Sequence, residues 1–190
     1  MPGDTLPFPL TGRTLITGPS NVGKTRLTAR ALTAWIDRGG TDGVVVLEFG
    51  PAYEHEGRVL GRPLSNFVEI PEAVFLGVLD ARAPRAEGDT AGESTSLARE
   101  NAERAADVIR QAPADPTAVF VNDATIPFQH HVGDPTVLQR YCEPATVVVL
   151  NAFDSDELGS GDPVSRQERR ALDAFGQWAD RVVRLGEDDE

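Results

Sequence analysis

Residues 18–25 read Gly18-Pro19-Ser20-Asn21-Val22-Gly23-Lys24-Thr25, a full match to the pattern G-x-x-x-x-G-K-[ST]. The setting of this string decides the fold. Residues 13–17 form a short β-rich run, the glycine loop follows directly, and apolar residues then recur at Leu27, Ala31, Leu32, Trp35 and Ile36, which is helical spacing. In that order, Gly18 and Gly23 allow backbone conformations and close approaches that a side chain would block, so successive N–H groups converge on one anion at a helix N-terminus. Lys24 is the one lysine among 18 basic residues, the rest being arginine. A compact ammonium fits between β- and γ-phosphate oxygens where a planar guanidinium fits poorly, so Lys24 reads as functional. Thr25 offers a hydroxyl to Mg2+.

Working outward, further β-rich runs fall at 44–49, 74–80, 117–123, 145–151 and 181–185. Helical patterns lie between them. One covers 24–38 and is closed by Gly39-Gly40; another runs through Leu97, Ala98, Ala102, Ala105 and Ile109. A short helix starts at Asp134-Pro135, and the last runs from Asp162-Pro163 through Leu172, Phe175 and Trp178. In each Asp-Pro pair a capping carboxylate precedes a residue that needs no N–H partner, and residues 165–168 add a capping-box pattern. Near-continuous apolar strands such as 146–150 belong between two helical layers. The expected architecture is one domain over 1–190, a three-layer α/β/α fold with a mainly parallel sheet. Residues 51–73 and 81–95 break the pattern and read as loop insertions, while 186–190 form an acidic tail. Both insertions follow strands, where loops at carboxyl ends surround a ligand, so they are candidate lids or partner-binding elements. For 81–95 a surface loop without a role is the competing reading.

Composition narrows the function. The net charge of −12, from 30 acidic against 18 basic residues, argues against a general duplex-DNA surface, because phosphate binding is driven by cationic side chains. Acid excess with almost no lysine resembles the proteomes of extreme halophiles, whose surface charges work under strong screening; the acidic tail and an arginine-favouring codon bias are the plain alternative. One cysteine, Cys142, cannot form an internal disulfide. Without a basic-then-apolar leader or an apolar run near 18 residues, no membrane association is expected and the cytoplasm is the default location.

A metal acid is expected at a strand end, and both Asp80 and Asp123 qualify. Here the chain resembles the RecA-like branch of P-loop ATPases, including the KaiC-type proteins. Residues 44–49, 118–123 and 179–185 look similar in order and spacing to that branch's second strand, metal-acid strand and final strand. The resemblance implies that Asp123 assists Mg2+ and that Glu48 polarises an attacking water. Two other comparisons compete. Asn151-Ala152-Phe153-Asp154 resembles the guanine-reading Asn-Lys-x-Asp of GTPases with alanine for lysine, which puts Asn151 and Asp154 beside a purine; a strand-to-loop turn is the bland reading. The segment 147–183 is similar in outline to adenosylcobinamide kinase, which would direct acceptor chemistry to Tyr53-Glu54-His55-Glu56. Further candidates are His130-His131 with Asp134 for a metal, and Arg82, Arg85, Arg166, Arg169 and Arg170 for an arginine finger. Trp35 and Trp178 read as core. The function expected is Mg2+-dependent binding and hydrolysis of a nucleoside triphosphate, ATP ahead of GTP, with a small-molecule kinase or a non-hydrolysing, nucleotide-responsive interaction protein, partnered or self-associating, as alternatives.

Overall fold

A computed structural model describes residues 5–55 and 58–186. Its elements run β1 (Gly12–Gly18), α1 (Lys24–Gly39), β2 (Val44–Glu48), β3 (Tyr53–His55), β4 (Arg58–Leu60), β5 (Phe75–Val78), α2 (Pro84–Glu87), α3 (Ala91–Gln111), β6 (Ala118–Asn122), α4 (Pro135–Cys142), β7 (Val147–Phe153), α5 (Pro163–Trp178) and β8 (Arg181–Arg184). Six strands form one sheet in the order β5-β2-β6-β7-β1-β8, with every pairing parallel. Alternate residues of each strand point to opposite faces. Ile16, Val46, Phe120 and Val149 pack under α1 and Leu64, whereas Leu15, Leu47, Val121 and Leu150 pack under α3, α4 and α5 through Ile109, Leu138 and Phe175. Two apolar cores on either side of the sheet make the three layers, as the strand composition requires.

Several sequence boundaries shift, each for a local reason. Residues 51–73 are not a plain loop: β3 and β4 pair as an antiparallel hairpin, and Leu64–Asn66 form a 3-10 turn whose Leu64 is buried under α1. Of the kinase-type acceptor candidates, Tyr53–His55 form β3 and Glu56 lies outside the described residues. Residues 81–95 are largely helical, a correction to the loop reading. Their composition hid a capping box, in which Thr90 Oγ1 accepts from Glu93 N at 3.1 Å and the Glu93 carboxylate accepts from Thr90 N at 3.3 Å. Asp134 and Asp162 do cap α4 and α5 through Thr136 N and Ser165 N, both at 2.9 Å. The capping box expected at 165–168 does not form, because Ser165 already lies in the first turn of α5 and Glu168 is buried inside it. Trp35 packs on the α1 core, and Trp178 packs on the other core beneath the Arg13 guanidinium, 4.9 Å from its ring.

Gly18 joins β1 to the loop where space is short: a Cβ there would lie 2.4 Å from the Leu185 carbonyl oxygen at the end of β8. Its φ of 151° is also unfavourable for a side chain. Gly18→Ala is expected to cost about 2 kcal/mol or more, lowering Tm by about 4–8 °C for a chain of this size, as read by thermal denaturation; an unchanged Tm would show that the loop and β8 separate freely.

Candidate functional site

The parallel order brings the carboxyl ends of β2, β6, β7, β1 and β8 to one edge, and the loop 19–23 crosses it. Gly23, at φ 100°, is the N-cap of α1 and has no side chain to offer, and no acidic residue sits in the first turn. The amides of that turn therefore keep their positive end for an external anion. Lys24 is 8% exposed and its ammonium donates to the Pro19 carbonyl. Burial pushes its pKa down, while the negative charges of Asp123, Glu157 and Asp154 pull it back up. Ser20 N donates to Glu157 Oε1 at 2.7 Å, so a carboxylate of the chain's own sits on an amide of the loop.

Behind the loop lies a buried amide network. Asn151 Nδ2 donates to Thr28 Oγ1 at 2.8 Å and to Asn122 Oδ1 at 2.9 Å, and Asn151 Oδ1 accepts from Asp123 N at 2.8 Å. Thr25 Oγ1 donates to Asn122 Oδ1 at 3.1 Å. Asn122 Nδ2 donates to Glu48 Oε1 at 2.5 Å, and Leu64 N donates to Glu48 Oε2 at 2.8 Å. Glu48 is 5% exposed, and burial, with the charge of Asp123 beside it, raises its pKa to about 7 against hydrogen bonds from Asn122, Leu64 and Gly50 that favour its charged form. Asp123 follows β6 with φ 54°, a left-handed conformation that swings its carboxyl toward the cleft. Burial raises its pKa to about 6, Lys24 opposes the shift and Glu168 adds to it. Both carboxyls crowd Gly50, where a Cβ would lie 2.2 Å from Asp123 Oδ2 and 3.3 Å from Glu48 Oε1.

The loop opens on a cleft of about 1080 Å³ lined by residues 20–27 and by Arg62, Arg85, Asp123, Gln129 and Glu168 among others. Lys24, Thr25 and Asp123 thus meet as expected. Asp80 does not join them: it is exposed beyond the edge strand β5, where its carbonyl accepts from Arg104. Glu48 is not among the residues lining the cleft; its carboxylate accepts from Asn122 Nδ2 and Leu64 N behind it. Asn151 is fully buried with its amide consumed, and Asp154 pairs with Arg169 at 3.4 Å in an adjoining hollow of about 460 Å³ that shares Arg85, Phe153 and Glu168 with the main cleft. Of the five candidate arginines, Arg85 alone lines the main cleft; Arg82 pairs with Glu87, Arg166 bonds the Gly161 carbonyl, Arg169 is held by Asp154 and Asp156, and Arg170 lines the smaller hollow. His130 and His131 stack at 4.2 Å and Asp134 caps α4, and among the described residues no group of three or more His, Cys, Asp or Glu is placed to hold a metal. Mg2+ needs only one or two protein oxygens beside phosphate and water, which Thr25 and Asp123 can supply. Sequence reasoning missed Asn122, Glu157 and Glu168, whose roles come from contacts between distant segments. Among the described residues no helix is long and apolar enough to cross a membrane.

Compared with models of known protein families and with curated protein sequences, the chain matches none.

Two outcomes follow from this geometry. Glu48 keeps its proton up to about pH 7 when folded, against an ordinary value of 4.5, so the folded chain binds more protons between those limits and stability falls as pH rises through them. At about 1.4 kcal/mol per pKa unit the slope amounts to about 3 kcal/mol at most; in Glu48→Gln it is expected to flatten, whatever the absolute stability, in denaturant titrations from pH 4.5 to 8. Glu157→Ala removes the competing carboxylate and is expected to tighten phosphate-ligand binding about two- to tenfold, the worth of one exposed charge-assisted hydrogen bond. Weaker binding in that variant would mean that Glu157 supports the loop instead of competing for it.

Proposed function

We propose that the cleft binds a nucleoside triphosphate with Mg2+ and cleaves or transfers its γ-phosphoryl group. One observation carries the reading: the chain's only lysine is held under the loop at the uncapped N-terminus of α1, facing a cleft large enough for a nucleotide. On this reading Lys24 exchanges the Pro19 carbonyl for β- and γ-phosphate oxygens, and the loop amides take phosphate in place of Glu157. Thr25 and Asp123 would hold Mg2+, which supplies charge neutralisation across the β- and γ-phosphates. Asp123, with a pKa near 6, faces the cleft and can also accept a proton there. Glu48, assigned the base from resemblance, acts by positioning: it holds Asn122, which holds Thr25. ATP is favoured over GTP because Asn151 and Asp154 are both engaged elsewhere.

Titration of Mg–ATP and Mg–GTP into parent and Lys24→Ala tests the reading. Lys24→Ala is expected to bind at least tenfold more weakly, from the loss of a charge-assisted contact worth about 1.5–3 kcal/mol, with an unaltered far-UV spectrum. Asp123→Asn is expected to weaken the Mg2+-dependent part of binding, whereas Asp80→Asn leaves it unchanged. Equal affinities in parent and Lys24→Ala would sink the assignment, and a tenfold preference for GTP would overturn the choice of base.

A further inference from the structure

Residues 154–162 join β7 to α5 without helix or strand, and they reach the phosphate loop on the way. Both ends of the segment are fixed. Asp154 N donates to the Gly18 carbonyl at 3.0 Å, while Asp162 caps α5, its carboxylate accepting from Ser165 N at 2.9 Å and its carbonyl from Arg166 N at 3.0 Å. Residues 155–161 between them carry their own bonds: Ser155 Oγ accepts from Glu157 N at 3.1 Å, and the Asp156 carbonyl accepts from Gly159 N at 3.0 Å. Gly159, at φ 108°, and Gly161, where a Cβ would meet no atom within 4 Å, give the backbone freedom on the side toward α5.

Polar contacts rather than apolar packing hold this segment down. Glu157 Oε1 accepts from Ser20 N at 2.7 Å, and Asp156 pairs with Arg169 at 2.8 Å, their side chains 73% and 47% exposed. The Arg166 guanidinium adds a bond to the Gly161 carbonyl, and the apolar side chain of Leu158 stays 37% exposed. Exposed ion pairs are weak, so little energy keeps the segment in place. Ser20 N has one proton to give. A phosphate oxygen sharing it with Glu157 would set two anions side by side, so the closed segment and a ligand in the loop exclude each other. Lys24 takes part in the same exchange, because the charge of Glu157 is one of those that support its protonated form.

We propose that residues 155–161 are an autoinhibitory strap, closed over the phosphate loop by Glu157 and latched by Asp156 to Arg169, and that a phosphate-bearing ligand opens it. The device rests on the nucleotide reading and adds a two-position element to it. Part of the ligand's binding free energy goes into opening the strap, so anything that releases the latch raises affinity without touching the ligand. Direct competition at one amide has no such consequence: Asp156 lines the adjoining hollow and not the main cleft, and it acts on the loop through the strap. Ser155, Gly159 and Ser160 also line the hollow and Leu158 lines the main cleft, so opening reshapes the wall of both.

The test follows the backbone amides of Ser20, Gly159 and Ser160 by nitrogen-15 NMR while Mg–ADP, and separately pyrophosphate with Mg2+, is titrated into parent, Glu157→Ala and Asp156→Asn. In the parent all three signals are expected to shift saturably. In ligand-free Glu157→Ala the Gly159 and Ser160 signals are expected to lie already near their positions in the ligand-bound parent and to move little on titration. Asp156→Asn is expected to bind Mg–ADP about two- to fivefold more tightly, the range for losing one exposed ion pair. Asp173→Asn, at an exposed acid of α5 that lines neither cavity, is the control and leaves affinity unchanged. If Mg–ADP binds the parent while Gly159 and Ser160 stay fixed, or if Asp156→Asn binds no more tightly than Asp173→Asn, the strap is overturned and the nucleotide reading stands. If neither probe binds parent or Glu157→Ala, the nucleotide reading falls and the strap falls with it. Binding to Glu157→Ala alone would support the strap in its strongest form.

Discussion

The contact on which the site depends is the hydrogen bond between the side chains of Asn122 and Asn151, 2.9 Å long and wholly buried between the neighbouring strands β6 and β7. Each asparagine uses its remaining capacity on a different part of the cleft. Asn151 fixes Thr28 on α1 and the amide of Asp123; Asn122 fixes Thr25, Glu48 and the Arg62 carbonyl. The pair therefore sets the separation between the helix carrying Lys24 and the strand end carrying Asp123. An amide suits this post because it donates and accepts at once and stays neutral at any pH. A carboxylate at position 122 would face Glu48 at hydrogen-bond distance, two acids where one already has its pKa raised to about 7 by burial.

Electrostatics at the cleft oppose the character of the whole chain. A protein of net charge −12 repels polyanions at long range, yet phosphate binding is decided within a few ångströms. There the terms are Lys24, the uncapped amides of α1 and the arginines along the cleft, of which Arg62 and Arg85 sit on the side of Asp123. Acidic groups temper them: Asp123 faces Lys24, and Glu157 covers Ser20 N. Without a ligand the negative charges of Asp123, Glu157 and Asp154 act on Lys24, which spares a buried ammonium the cost of standing alone.

Local signals carried well from sequence to structure, and contacts between distant segments did not. The strand, loop and helix around residues 13–36 were legible because period-2 and period-3.6 patterns and the glycines all agree over a short stretch. The Asp-Pro caps of α4 and α5 were legible for the same reason. Helix α3 started earlier than composition suggested, since the Thr90–Glu93 capping box outweighs the small polar residues that follow it. Asn151 looked like a base reader because Asn151-Ala152-Phe153-Asp154 resembles the guanine-reading Asn-Lys-x-Asp of GTPases; the sequence could not reveal that β7 extends to Phe153 and leaves Asn151 inside the sheet. Glu48 looked like a base because the RecA-like resemblance puts one at the end of β2, and the residues that clamp it, Leu64 and Asn122, lie 16 and 74 positions away.

That separation also bears on chemistry. Pro84, Ile126 and Phe153 give the cleft an apolar wall beside its polar groups. These residues come from three segments that meet only in the fold, α2, the turn after β6 and the end of β7; Phe153 lies under the Arg85 guanidinium at 5.6 Å and Thr125, next to Ile126, bonds Glu168. A buried ion pair is costly to assemble and adds little net stability compared with apolar packing, so its presence where three segments converge is better explained by orientation than by stability. Arg85 and Glu168 tie α2 to α5 across the mouth of the cleft that Asp123 also lines, so the pair orients the two helices that frame it.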